Sequence, residues 1–377
     1  MKPIICFVFG TRPECIKLAP VIDAFKKSGK FKVKILNTGQ HKEMLQQALD
    51  IFELTPDIEL NLMSTDQSLS SFVSMALVKL DEWFKNIKPD IVFVQGDTST
   101  VLAASLAAFF NKIKLYHIEA GLRTHKKFSP YPEEMNRLLA TRLADIHFAP
   151  TINAKMNLLR EGVCEDSIFI TGNTSIDSLL MTLNKNHSEK SFSKELLLIP
   201  KHFIEEKKII LITGHRRENF GSGFIDICNA IKELASLYVN YLFVYPVHLN
   251  PHVQNTVFKI LQSIPNIMLL KPLDFINFTF LMDASHIILT DSGGIQEEAP
   301  SLKKPILVLR EDTERQEGID NGNAILVGTN KELIIKQFNL LMTDDSYYNS
   351  FTNRKNPYGD GKASQIILNI VEKIHHH

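Results

Sequence analysis

Asp97, Glu119 and Glu133 are carboxylates at places where a chain changes direction. They stand in Gly96-Asp97-Thr98, in Glu119-Ala120-Gly121-Leu122-Arg123 and in SPYPEEMNR. Carboxylates that converge on one cleft raise each other's pKa, which suits general acid and base work. For any single one the plain alternative is a helix cap or a surface ion pair. That alternative stays open for Glu133 and Glu134, first-turn helix acids after Pro132. Further apolar runs end on Gly10-Thr11-Arg12-Pro13-Glu14 with Lys17 one turn on, on Thr38-Gly39-Gln40-His41, and on Gly214-His215-Arg216-Arg217-Glu218. Pro246-Val247-His248 and Asp291-Ser292-Gly293-Gly294 complete the series. A charged or imidazole side chain beside a glycine recurs at nearly every ending, and this repetition points to a shared active cleft. His215, next to Arg216 and Arg217, would be a poor base if it were surrounded only by cations. Aimed at a diphosphate, it serves as a donor or as the acid that protonates a departing phosphate.

The stretch HIILTDSGGIQEEAP, residues 286 to 300, predicts a strand that breaks and restarts as a helix. A helix N-terminus carries free N–H groups and partial positive charge, so it can seat a phosphate. Ser292 fits the N-cap, and Gly293 and Gly294 let phosphate oxygens reach the amides. Glu298, about one turn inside, can accept hydrogen bonds from a sugar diol beside that phosphate. A phosphate seat with a diol acceptor describes a nucleotide. Glu297 is expected to face solvent or a neighbouring helix.

Other chemistries are disfavoured. The first predicted strand is followed by FGTRPECIK, without the G-x-G-x-x-G dinucleotide fingerprint, and no P-loop lysine motif occurs. No H-E-x-x-H or comparable spacing suggests a metal, so neither cofactor nor metal is expected. The cysteines Cys6, Cys15, Cys164 and Cys228 lack C-x-x-C spacing and read as reduced thiols of a cytoplasmic protein. Lys+Arg and Asp+Glu are both 42, which argues against a nucleic-acid or anionic-membrane surface. No apolar run approaches the ~18 residues of a membrane span. MKPIICFVFG is expected to be a buried strand, not a signal peptide.

The elements that must position these residues follow from the hydrophobic pattern. Near-continuous apolar strands are predicted at Ile4–Phe9, Lys32–Leu36, Ile91–Val94, Lys114–Ile118 and Ile146–Phe148, each followed by a helical period. A second series is predicted at Lys208–Ile212, Tyr241–Tyr245, Ile267–Leu270, His286–Leu289, Pro305–Leu309 and Ala324–Val327. Such alternation means α/β architecture with parallel sheets covered on both faces. With 377 residues, two domains are the prior. Two Rossmann-like domains are expected, residues 1–172 and 173–359, with the Lys-, Ser- and Asn-rich stretch from about Leu179 to Lys208 at their join. A C-terminal helix over 360–374 is expected to cross back onto the first domain, and the terminal histidines 375–377 read as a tag remnant.

The motifs FGTRPExIK, GDTxTxxxxSLAAF, HxEAGLRT, SPYPEExNR, FITGNTxIDxL, TGHRREN, YPVHLNP, LTDSGGIQEEAPSL and NPYGDGxAS together resemble the non-hydrolysing UDP-N-acetylglucosamine 2-epimerases of bacteria. The likeness runs from residue 3 to about 370. It implies a GT-B fold with an interdomain cleft, a homodimer and interconversion of UDP-GlcNAc with UDP-ManNAc for cell-surface polysaccharide. It also implies anti elimination of UDP to 2-acetamidoglucal, then re-addition. By the same resemblance Arg12 and Lys17 face the nucleotide and the catalytic cleft, while Asp97, Glu119 and Glu133 move the C2 proton. His215 acts near the diphosphate, and Ser292, Gly293, Gly294 and Glu298 contact phosphate and ribose. Arg315 lines the cleft, and Phe278 with Leu273 forms the uracil pocket. A second UDP-GlcNAc, as activator, is implied at Gln40, Glu134, Arg216 and His248. Glu43 and Asp66 stand where some activated members carry Gln and Arg, and acids there would repel a diphosphate.

Two rivals share much of this pattern. A hydrolysing 2-epimerase would release ManNAc and UDP, but it typically lacks the Gln-His after the second strand and the Arg-Arg-Glu-Asn run. A GT-B glycosyltransferase would use the same phosphate seat with an acceptor groove. A non-catalytic UDP-sugar-binding regulator is a third reading, which a turnover assay separates.

Overall fold

In a computed structural model the described residues are 2–40, 43–63, 67–185 and 192–375. The chain divides into two compact units, Met1–Ser178 with Tyr358–His377, and Leu179–Pro357. The first unit therefore extends past Gly172, where the sequence reading ended it. The reason is a set of bonds that tie residues 173–178 to it. Asn173 N–H donates to the Tyr358 carbonyl at 2.7 Å, and Ser178 Oγ donates to the Ile16 carbonyl at 2.6 Å. Asp177 accepts from the backbone N–H groups of Ala363 and Ser364 at the start of the last helix, Ala363–His375.

In the first unit the strands are β1 (Ile4–Phe9), β2 (Lys32–Asn37), β3 (Ile58–Glu59), β4 (Ile91–Gln95), β5 (Lys114–Ile118), β6 (Ile146–Ala149) and β7 (Ile168–Ile170). They form a parallel sheet in the order β3-β2-β1-β4-β5-β6-β7. The central strands read as unbroken apolar runs because both faces are covered. Phe7 of β1 stacks on Phe93 of β4 at 4.9 Å, under the helix Arg12–Ser28. On the other face, Ala103, Ala104, Ala107 and Ala108 of the helix Ser99–Phe110 are fully buried. Small side chains there let this helix lie close to the sheet and to the helix Leu69–Ile87.

The second unit carries β8 (Ile209–Thr213), β9 (Leu242–Pro246), β10 (Ile267–Leu270), β11 (Ser285–Thr290), β12 (Ile306–Val308) and β13 (Ala324–Leu326). Their order, β10-β9-β8-β11-β12-β13, is again parallel and doubly wound. In each sheet the strand order reverses beside the first strand. At such a switch point two neighbouring strand ends diverge and leave a crevice. In the first unit it lies between β1 and β4, in the second between β8 and β11.

The predicted strands shift by a residue or two at their ends. β12 is shorter than Pro305–Leu309, since Pro305 has no N–H to give a ladder. The edge strands β3 and β7 were absent from the sequence expectation. Within the supposed join, Leu196 and Ile199 are buried in the apolar cluster under β8 and β11, so this stretch belongs to the second core. His375, set apart as tag remnant, ends the last helix with Nε2 3.2 Å from Tyr116 Oη.

Candidate functional site

The first unit places a carboxylate cluster at its switch point. The turn after β1 caps the helix Arg12–Ser28, whose Glu14 is buried. Glu14 Oε2 accepts from the N–H groups of Gly10 at 3.1 Å and Thr11 at 2.8 Å, while Oε1 accepts from Thr98 Oγ1 at 2.7 Å. Thr98 in turn is the N-cap of the helix Ser99–Phe110. One carboxylate thus locks the β1 and β4 ends together. Burial pushes Glu14 up to about 7, against the pull of these donors.

Around that lock, Lys17 Nζ donates to both carboxylate oxygens of Glu119 at 2.7 Å. Glu119 Oε1 also accepts from Asn173 Nδ2 at 3.1 Å, and Oε2 from Gln95 Nε2. Asp97 follows β4. Its carboxyl is pushed up to about 6, first by burial and further by Glu119 and Glu133, with Arg137 and Lys17 opposing. Arg137 Nε lies 3.5 Å from Asp97 Oδ2, and Asn136 Nδ2 donates to the Asp97 carbonyl at 3.0 Å. A cavity of about 340 Å³ is lined by Glu14, Lys17, Asp97, Glu119 and Glu133, with Gln40 and Leu69 among its further walls. A carboxyl that titrates near neutrality can take or return a proton there. Arg12 opens the capped helix at the same strand end.

Glu134 behaves differently from its expected place beside a second ligand. Its carboxylate is 1 % exposed, accepts from the N–H groups of Thr124 and His125, and pairs with Arg137 at 3.2 Å. It anchors the loop before Ser129 from within. Gln40 Oε1 accepts from Thr100 Oγ1 at 3.0 Å and borders the cavity. His41, Asp66 and the side chain of Glu43 lie outside the described residues.

In the second unit the helix Gly293–Glu298 starts where predicted, with Ser292 at its N-cap. The Ser292 hydroxyl makes no cap hydrogen bond. A Cβ on Gly293 would lie 3.0 Å from Arg315 Cζ, so the guanidinium covers the first turn of this helix. A Cβ on Gly294 would meet its nearest neighbour, Ser292 Oγ, at 4.0 Å. Glu297 does not face solvent. It is 2 % exposed and accepts from Arg315 Nε at 2.8 Å. Of the two expected directions, solvent or a neighbouring helix, it takes the second, since Arg315 is the N-cap of the helix Gln316–Asp320. Glu314 receives a second Arg315 bond at 2.6 Å. Burial opposes its ionisation, yet Arg315 and Arg310 hold it down to about 2. A helix terminus with a guanidinium over its first turn is an arrangement that can attract an anion.

His215 follows β8, its ring stacked on that of His248 with centroids 5.1 Å apart. Burial lowers its pKa, Asp291 raises it, and Arg216 and His248 lower it further. Arg216 Nε donates to the Asp291 carbonyl at 3.3 Å. Leu273 and Phe278 are half-buried against the core cluster, Phe278 on the helix Phe275–Ala284. That helix packs on the turn Ala299–Leu302, which continues the helix Gly293–Glu298. Glu298 is half-buried at the end of that helix. Glu14, Gln95, Asn173 and Asp291 carry much of this geometry without having been given roles. Each stands at or just beyond a strand end, the same signal that singled out the others.

A sequence-family model described as UDP-N-acetylglucosamine 2-epimerase matches residues 23–372. A protein of that name from Yersinia pestis is 47% identical over 365 residues, spanning 97% of each chain. The solved UDP-GlcNAc 2-epimerase of Neisseria meningitidis, bound to UDP-GlcNAc, is 46% identical. It superposes with a TM-score of 0.88 over 98% of this chain and 100% of its own. An S. aureus protein solved with UDP is 41% identical, with a TM-score of 0.87 over 99% and 97% of the two chains.

Proposed function

The chain belongs to the UDP-N-acetylglucosamine 2-epimerase family, and we propose that it interconverts UDP-GlcNAc and UDP-ManNAc without net hydrolysis. The observation that carries this reading is the group of acids at the end of β4, with the Asp97 carboxyl lifted to about 6 beside Glu119, Glu133 and Lys17. Epimerisation at C2 needs a proton removed from one face and returned to the other. The C2–H bond next to an amide nitrogen is weakly acidic, so base and leaving group must act together.

In the forward half a carboxylate of this set takes the C2 proton, and the C1–O bond breaks with its electron pair leaving on UDP. A C1=C2 double bond forms, giving 2-acetamidoglucal. Protonation of C2 from the opposite face and return of the UDP oxygen to C1 complete the cycle, with no co-reactant consumed. His215, Ser292, the amides of Gly293 and Gly294, and Arg315 would carry the diphosphate charge. Glu298 would hold the ribose diol, with Leu273 and Phe278 beside the uracil. Arg12 would meet the nucleotide from its own strand end.

An activating second UDP-GlcNAc at Gln40, Arg216 and His248 belongs to the same reading, with Glu134 shaping the adjoining loop. So does a homodimer that supplies ManNAc units for surface polysaccharide. With a nucleotide sugar as substrate and buried thiols at Cys6, Cys15 and Cys228, we read the place of action as the cytoplasm.

Incubation of UDP-GlcNAc with the protein in deuterated water, followed by NMR, tests this. Accumulation of UDP-ManNAc with deuterium at C2 is expected. Free ManNAc with UDP would instead place the chain in the hydrolysing class, and no turnover of the UDP-sugar alone would favour a transferase.

A further inference from the structure

Asp291 directly follows β11, with its side chain fully buried. Its Oδ2 accepts from the backbone N–H groups of His215 at 2.7 Å and Arg216 at 2.8 Å. Asp291 N–H returns a bond to the Thr213 carbonyl at 3.2 Å, and the hydroxyls of Thr213 and Thr290 meet at 2.6 Å. One carboxylate oxygen therefore pins the chain leaving β8 to the chain leaving β11. The other, Oδ1, receives no aligned hydrogen bond. A buried carboxylate oxygen left without a donor is costly. The polar atom placed to relieve it is His215 Nδ1, 3.4 Å away. Such contacts commonly shorten only when ligand is bound.

The face of the same ring is fixed by His248, with an interplanar angle of 9°. His248 Nδ1 accepts from the Asn250 N–H at 3.1 Å, so a neutral His248 carries its proton on Nε2. His215 is thus held along one edge by a carboxylate and across one face by the His248 ring.

We propose that Asp291 is a positioning residue that holds His215 as the Nδ1–H tautomer and so presents Nε2 to the departing diphosphate. An ionised carboxylate is an acceptor alone, so it favours a proton on the ring nitrogen that faces it. It also supports the imidazolium, whose Nε2–H gives its proton to the leaving UDP oxygen and takes it back when that oxygen returns to C1. This rests on the role given to His215 above. Asp291 acts through His215 and needs no contact with substrate.

The test is long-range proton–nitrogen NMR on the full chain, with the His215 signals assigned by their loss in His215→Gln. In the unsubstituted protein at a pH where the ring is neutral, Nδ1 is expected to carry the proton. Asp291→Asn can keep both backbone bonds through its carbonyl but turns an NH2 toward Nδ1. That variant should move the proton to Nε2, keep its melting temperature within a few degrees, and lose at least about tenfold in kcat. Finding the proton on Nε2 in the unsubstituted protein overturns the proposal, and this result does not depend on any variant folding. An Asn variant that retains the Nδ1–H form overturns it as well. A tautomer that moves while kcat stays constant upholds the positioning role and removes His215 from the reaction.

Discussion

Lys17 Nζ stands 2.7 Å from each carboxylate oxygen of Glu119, and the Glu119 backbone is held at φ +64°. A left-handed conformation costs a non-glycine residue about 1 kcal/mol or more, so surrounding contacts must impose it. Here the bonds from Lys17, Gln95 and Asn173 do so. Glu119→Gln keeps the shape but removes the charge that Lys17 pairs with. Its turnover should fall by about a hundredfold, with UDP affinity changed little. Steady-state kinetics that differ by less than twofold would separate this pair from the proton transfer.

Asp97 links activity and stability with opposite signs. Its pKa is raised from 3.8 to about 6 in the fold. The native state therefore favours the protonated acid, and the associated stability is complete below the ordinary value and lost as pH rises through about 6. Asp97→Asn removes that loss. Its melting temperature should match the unsubstituted protein below the ordinary value of 3.8, exceed it increasingly as pH rises to about 6, and stay ahead by a constant margin above that, while turnover drops about a hundredfold. A variant that is less stable at alkaline pH would show that the Arg137 pair outweighs the burial cost.

Gly293 tests the proposed anion seat through Arg315. An alanine Cβ would stand 3.0 to 3.2 Å from the guanidinium atoms Cζ, Nε and Nη1. Those atoms end a flexible side chain, so the fold should survive while the guanidinium is displaced from its bonds to Glu297 and Glu314. UDP affinity by calorimetry should fall about tenfold, the equivalent of one charge-assisted hydrogen bond. Unchanged affinity would take Arg315 out of the phosphate environment.

Asp177 offers a stability test remote from the chemistry. It accepts from Ala363 N–H at 3.2 Å, Ser364 N–H at 2.8 Å and Ser364 Oγ at 2.6 Å. Asp177→Ala leaves the first turn of the last helix without these acceptors, which costs about 1–2 kcal/mol. A urea denaturation midpoint that does not move would mean that solvent replaces them fully.

Much of this was legible in the sequence because buried parallel strands read as apolar runs, and the rule that ligands gather at their carboxyl ends picked out Asp97, Glu119 and His215. What escaped has physical causes. β3 and β7 are edge strands of only two and three residues, too short to read as apolar runs. Glu297 could be assigned only once its short helix had a phase. Asp291 and Glu14 act on backbone N–H groups, and sequence records no backbone partners. Glu134 looked like its neighbour Glu133, yet Arg137 and the 124–125 amides turn it inward.

The last helix, Ala363–His375, packs on the helix Arg12–Ser28 and buries Ala363, Ile367, Leu368 and Val371. Topologically, the second unit is therefore an insertion within the first. During synthesis Leu179–Pro357 can close its sheet as soon as it has left the ribosome, because all its strands are then present. The first unit emerges earlier but cannot seal its surface until the final turns arrive about two hundred residues later, a long loop closure that slows folding. Meanwhile the apolar groove on Arg12–Ser28 stays open to chaperones or to a second nascent chain.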